Sequence, residues 1–120
     1  MNRWVLLEHK ILGHELIDIH YDFLVEDGPE CITWKFHEIP VLNKGFVEIR
    51  KQPNHRLIWL SRVEHQLSNK RGLVKRIDNG TFSYISHNKN SQELKIILNG
   101  TLLKGLLIIN GSFCQLTKNN

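Results

Sequence analysis

His20 and Asp22 stand two residues apart in the stretch "IHYDFLVEDG", residues 19 to 28, and an imidazole beside a carboxylate at that spacing can do metal chemistry. On an extended strand, residues i and i+2 share a face and lie about 6 to 7 Å apart along the backbone. Side chains so placed can converge on one ion. Imidazole plus carboxylate suits Mn²⁺, Fe²⁺ or Zn²⁺ better than Ca²⁺ or a thiolate-bound centre. A third ligand has to come from elsewhere in the chain, and His9 and His14 are the two candidates. The same spacing also suits a surface pair or a hydrogen-bonded polar pair, and seven histidines in 120 residues make accidental pairs more frequent. His37, His65 and His87 sit in polar or turn-adjacent contexts and read as bystanders. His55 differs, because in "PNHRLIW" it opens an apolar segment after a proline, where a strand mouth can face a site.

The elements that must hold these residues read as strands. The dominant period is two: Tyr21, Phe23 and Val25 alternate with His20, Asp22, Leu24 and Glu26, and "CITWKFHEI" alternates Ile32, Trp34 and Phe36 with Thr33, Lys35 and His37. "RWVLLEH", "GFVEIRK", "HRLIWLSRV", "GLVKRI", "TFSYIS", "ELKIIL" and "LKGLLIIN" continue the series, with turn formers such as "EDGPE", "QPN" and "NKNS" between them. Asn79-Gly80 in "DNGT" predicts a type I′ hairpin between "LVKRI" and "FSYIS". Residues 10–18, "KILGHELID", are the one place for a short helical turn. The fold class is therefore all-β, and a small closed antiparallel barrel of about eight strands is the economical way to remove sheet edges. The expected organisation is a single domain over residues 1–120, with a polar tail from about 117.

Composition narrows the function classes. A 41% hydrophobic and 23% charged chain is globular rather than disordered. A formal charge of +4 favours polyanions without identifying nucleic acid. Cys31 and Cys114 have no CxxC spacing, so they read as reduced, half-buried thiols of a cytoplasmic protein. "GLLIIN" is far too short for a membrane span, and no membrane partner is expected.

"HYDFLVEDG" followed by "ITWKF" resembles the His-Tyr-Asp-Phe-x-x-Glu-x-Gly…Trp signature of the 3′-phosphoesterase domain of bacterial DNA ligase D and its free-standing relatives. "LLEH", "NHRLIWL", "RGLVKRIDNGTF" and "LNGTLLKGLLII" fit further motifs of that family in the right order, so the resemblance spans about residues 3 to 109. It implies a closed β-barrel whose cavity binds Mn²⁺ or a similar divalent ion, with Zn²⁺ as the alternative. It also implies 3′-end healing in DNA repair, by removal of a terminal ribonucleoside and then of the 3′-phosphate. The partners would be DNA or RNA 3′ ends, with a ligase or polymerase acting in trans.

The family's metal ligands carry over to His9, His20 and Asp22. Its usual five-residue spacing between the two histidines selects His14 instead, whereas the "LLEH" context selects His9. The catalytic set is then His55, His20 and Asp22, with His55 as phosphate clamp or proton donor to the leaving oxygen. Two positions depart from the pattern: Leu24 stands where the family holds phosphate with an arginine, and Trp59 stands where it has a tyrosine. Arg50, Arg56, Lys75 or Arg76 could replace the missing cation, and Trp59 could stack on a terminal base. His55, Trp59, Arg50, Arg56 and Arg76 form the expected substrate-binding set. The competing expectation is a catalytically impaired module that binds metal and 3′ ends or a repair partner. A barrel for a small apolar ligand, with incidental histidines, is the third.

Overall fold

The computed structural model describes residues 2–13, 17–67 and 72–119. They form nine antiparallel strands: β1 (Arg3–Leu12), β2 (Ile17–Asp27), β3 (Glu30–Phe36), β4 (Val47–Arg56), β5 (Glu64–Leu67), β6 (Gly72–Asn88), β7 (Glu93–Asn99), β8 (Lys104–Asn110) and β9 (Phe113–Thr117). The only helical element among them is a 3₁₀ turn at Leu57–Leu60. No helix of the described residues is long and apolar enough to cross a membrane.

The expectation of an all-β chain with period-two strands holds, but the closed barrel does not. The sheet order is β1-β2-β3-β4-β9-β8-β7-β6-β5, with an additional β1–β6 pairing, and this ring of pairings does not form a barrel. A barrel strand keeps the same two neighbours along its length. Here β6 spends its first half between β1 and β5 and its second half on β7, so the sheet branches at β6 and leaves β5 at an edge. The seam between β4 and β9 is only two residue pairs, Val47↔Cys114 and Glu48↔Phe113. The result is a sheet folded over on itself, with β4 and β6 passing from one layer to the other.

The main core fills the space between the layers. Trp4, Leu6, Phe23, Trp34 and Phe36 from β1–β3 meet Ile96, Leu98, Leu107 and Ile109 from β7 and β8, all buried. Phe23 lies at the centre, stacked on Phe36 with ring centroids 5.1 Å apart. A second, smaller cluster covers the opposite face of β1–β3: Val5, Leu7, Leu24, Cys31, Val74, and Leu60 from the 3₁₀ turn. Because both faces of β1 are covered, Trp4 through Leu7 are buried consecutively, which explains the unbroken apolar run "WVLL". Each of these aliphatic side chains contributes roughly 1.5–3 kcal/mol by leaving water.

Four local expectations are corrected. Residues 10–12 and 17–18 extend β1 and β2 through the pairs Lys10↔Ile19, Ile11↔Asp18 and Leu12↔Ile17, so they are strand and not a helical turn. "HRLIWLSRV" is not a strand, since β4 ends at Arg56 and the 3₁₀ turn follows. "QPN" is not a turn but part of β4. The Asn79-Gly80 hairpin is absent: β6 runs straight through it, and Gly80 has no positive φ. Gly80 is small because β7 passes close by, where a Cβ would run into the Asn99 carbonyl oxygen. Neighbouring Asp78 is buried and accepts hydrogen bonds from the backbone N–H groups of Asn79 (2.9 Å), Leu102 (2.8 Å) and Leu103 (2.9 Å), and from Thr101. The "DNG" signal therefore marks a carboxylate that ties β6 to the β7–β8 turn.

Candidate metal centre

The β1–β2 hairpin sets His9 directly opposite His20 and Leu7 directly opposite Asp22. Strand alternation then places His9, His20 and Asp22 on one face, at the edge of the second apolar cluster. This is the outer face of the folded sheet and not an enclosed barrel cavity. The three side chains are mostly buried, at 17%, 11% and 14% exposure. His9 Nδ1 lies 3.1 Å from His20 Nε2. The Asp22 oxygens lie 3.4 Å from His20 Nε2 and 3.8 Å from His9 Nδ1.

One donor atom from each of the three residues lies within 4.8 Å of the other two, a spacing that a divalent ion can bridge. For bonds of ~2.1 Å, ligand atoms stand about 3.0 Å apart at octahedral angles and about 3.4 Å apart at tetrahedral ones. Two imidazole nitrogens facing each other cannot both present lone pairs without a proton or a cation between them. A cation held by both, with the carboxylate balancing its charge, satisfies all three. Two nitrogens and one oxygen leave further coordination positions open. One feature opposes coordination: His20 Nδ1 is buried with no hydrogen-bond partner. When His20 Nε2 presents its lone pair, Nδ1 carries the ring proton, and that unsatisfied N–H costs about 1–3 kcal/mol that ligation has to offset. His14, the alternative third ligand, lies outside the described residues.

His55 joins this face through an irregularity of β4. Thr33 pairs with Gln52 and Cys31 pairs with His55, so two steps along β3 match three along β4. The extra residue falls at Gln52–His55, where Pro53 is tolerated because the ladder is interrupted. It shifts the alternation by one and sets His55 on the side of Cys31 and Leu24. His55 Nδ1 donates to the Pro53 carbonyl at 3.0 Å, because a carbonyl can only accept. That bond orients the ring and leaves Nε2 for other work. A small pocket of ≈ 90 Å³ is lined by Leu7, His9, Asp22, His55, Trp59 and Val74, together with Leu67. Trp59 is half-buried, flanked by the Arg62 guanidinium 5.6 Å from its ring and by the edge of His65 at 5.4 Å.

The expected basic residues divide. Asp22 pairs with Lys35, and Lys35 pairs with Arg50, so both cations share its face, one and two strands away. Arg76 pairs with Leu7 on the other side of the same row. Arg56, next to His55, alternates away from the site and is exposed. Lys75 pairs with Glu8 and likewise points off this face. Leu24 is fully buried against Leu60 of the 3₁₀ turn, so its position is floor, not a place for a phosphate-holding side chain. Trp34 and Phe36 are core, as expected.

Sequence reading passed over Lys35, which looked like an ordinary outward residue of an alternating strand. Only pairing places it beside Asp22. Both thiols are fully buried rather than half-buried, and burial pushes Cys31 up to about 11 and Cys114 up to about 12. Neither is a ready thiolate ligand, which agrees with an N/O donor set.

Sequence comparison finds no match for this chain among protein-family models or curated proteins, so the description "ligase D-like" is without support. What the chain carries is a His9–His20–Asp22 group able to hold a divalent ion on a folded antiparallel sheet.

Proposed function

We propose that the protein is a divalent-metal-dependent phosphoesterase acting on DNA or RNA 3′ ends, removing a terminal ribonucleoside and the remaining 3′-phosphate. The observation that carries this reading is the convergence of His9 Nδ1, His20 Nε2 and the Asp22 carboxylate, with His9 and Asp22 lining one small pocket together with His55. His9, His20 and Asp22 would hold Mn²⁺, or Zn²⁺ in its place, and the bound ion supplies Lewis-acid polarisation of a phosphate oxygen. His55, oriented by Pro53, presents Nε2 to clamp that phosphate or to deliver a proton to the leaving oxygen. Trp59 forms an aromatic wall beside the pocket on which a terminal base can stack. The basic balance of 16 Lys and Arg against 12 Asp and Glu favours a polyanionic substrate.

A second reading, a module that binds metal and 3′ ends without turnover, is favoured by Leu24. Its burial beneath Leu60 leaves no arginine beside Asp22 on the same strand. One assay separates the two. The protein is incubated with primer-templates ending in a 3′-phosphate or in one ribonucleotide, in Mn²⁺, Mg²⁺ or EDTA. Metal-dependent trimming that disappears in Asp22→Ala and His55→Ala supports the enzyme. End binding without trimming supports the module. Trimming that survives EDTA and Asp22→Ala would sink both.

A further inference from the structure

We propose that Lys35 and Arg50 form a phosphate-binding subsite beside the metal centre, on the same face of the sheet as Asp22 and one and two strands away from it. The proposal deepens the 3′-end reading and rests on it for the identity of the phosphate. Its basis is a pairing that an unliganded sheet disfavours. Lys35 and Arg50 are direct cross-strand partners, so two like charges face each other on one side of the sheet. Cross-strand partners have Cβ atoms about 5 Å apart, and like charges placed so are destabilising. Among the described residues, neither side chain makes an ion pair or a hydrogen bond that would relieve this. Glu48, two residues from Arg50, lies instead 4.0 Å from His37. The one other carboxylate in the row is Asp22, opposite Lys35, and coordination of a cation would occupy it.

An anion between the two side chains removes the conflict. A phosphate group fits the geometry, because adjacent strands are about 4.8 Å apart. Lys35 and Arg50 stand one and two strands from Asp22 on its own face, so a phosphate they hold lies on the same side of the sheet as the metal centre. Arg50 offers a planar fork of donors and Lys35 a mobile point charge, a combination that accepts a terminal monoester better than a single cation does. The cation missing at Leu24 is thus supplied from β3 and β4. Lys35 is half-buried, so its stem covers apolar surface while its ammonium group keeps access to solvent and to an anion.

The test uses the full chain, two readouts and three phosphate sources. Affinity is measured for an oligonucleotide with a 3′-phosphate, the same oligonucleotide with a 3′-hydroxyl, and inorganic phosphate, in Mn²⁺ and in EDTA. Lys35→Ala and Arg50→Gln are each expected to reduce 3′-phosphate affinity about ten-fold more than 3′-hydroxyl affinity. Lys35→Arg is expected to keep the preference. Without any anion, Arg50→Gln should melt about 1–3 °C higher than the natural protein, because the repulsion of Lys35 is gone while Lys35 keeps Asp22 opposite it. Weakened binding of the 3′-phosphate and 3′-hydroxyl oligonucleotides to the same degree would mean general backbone attraction and would overturn the subsite. An unchanged preference in Lys35→Ala and in Arg50→Gln would overturn it as well. A preference that persists in EDTA and depends on Lys35 upholds the subsite even where no metal binds, so failure of the metal reading is scored separately.

Discussion

Two aspartates, Asp22 and Asp78, show how differently one side chain is used in this small sheet. Asp78 is 6% exposed, and its two oxygens accept backbone N–H groups from Asn79, Thr101, Leu102 and Leu103. Its charge is distributed over fixed dipoles, and nothing is left for a ligand to do. Asp22 is nearly as buried, yet its neighbours are two imidazoles whose nitrogens lie 3.4 and 3.8 Å away, longer than good hydrogen bonds. One carboxylate completes the fold. The other belongs to a group able to hold a divalent ion. The difference teaches that burial alone does not mark a functional acid; the chemical type of its partners does.

The contrast breaks first at Asp78. Asp78→Ala leaves several buried amides without acceptors and should destabilise the protein by about 3 kcal/mol, read from urea unfolding. A loss under about 1 kcal/mol would mean that water replaces the carboxylate and that the two sites are less different than their geometry. Metal affinity of the folded fraction should not change.

Asp22→Ala is expected to do the opposite. Calorimetric titration with Mn²⁺ or Zn²⁺ should show affinity lower by about 100-fold or more, while stability in EDTA shifts by less than about 1 kcal/mol. Strong destabilisation in EDTA would move Asp22 into the structural class with Asp78.

The smallest effect concerns a third acid, Glu26, which shares features of both. Arg3 grips it with Nε at 3.0 Å and Nη2 at 2.9 Å, and its own backbone N–H adds a bond at 3.1 Å. The Arg3 bonds hold the Glu26 carboxyl below its ordinary value of 4.5, against the opposing effect of burial. A carboxyl lowered in the folded state contributes stability that is fully present above its unfolded value and is lost as pH falls through the folded value. Arg3 is 43% exposed, so screening limits the pair to about 1 kcal/mol. Arg3→Ala should therefore cost about that much at pH 7 and nothing once Glu26 is protonated in both states. An equal cost at pH 7 and at pH 2 would show that the loss is packing and not charge.

The sequence by itself determined the strand character of the chain and the pairing of imidazole with carboxylate. Both follow from period-two alternation, which is local: His20 and Asp22 share a face in any strand that contains them. It also placed Trp34 and Phe36 inside. Three things were decided only by tertiary pairing. The β1–β2 register chose His9 as the residue opposite His20. The irregularity at Pro53 turned His55 toward the site, against the face that simple alternation would give it. The partition of β6 between β1 and β7 prevented a barrel and carried a strand through Asn79-Gly80, where turn propensity favoured a hairpin. A local preference worth about 1 kcal/mol yields when two long ladders and a buried carboxylate depend on an extended chain. Lys35 makes the same point from the site's side, since its chemistry is set by its neighbours across the sheet and not by those along the chain.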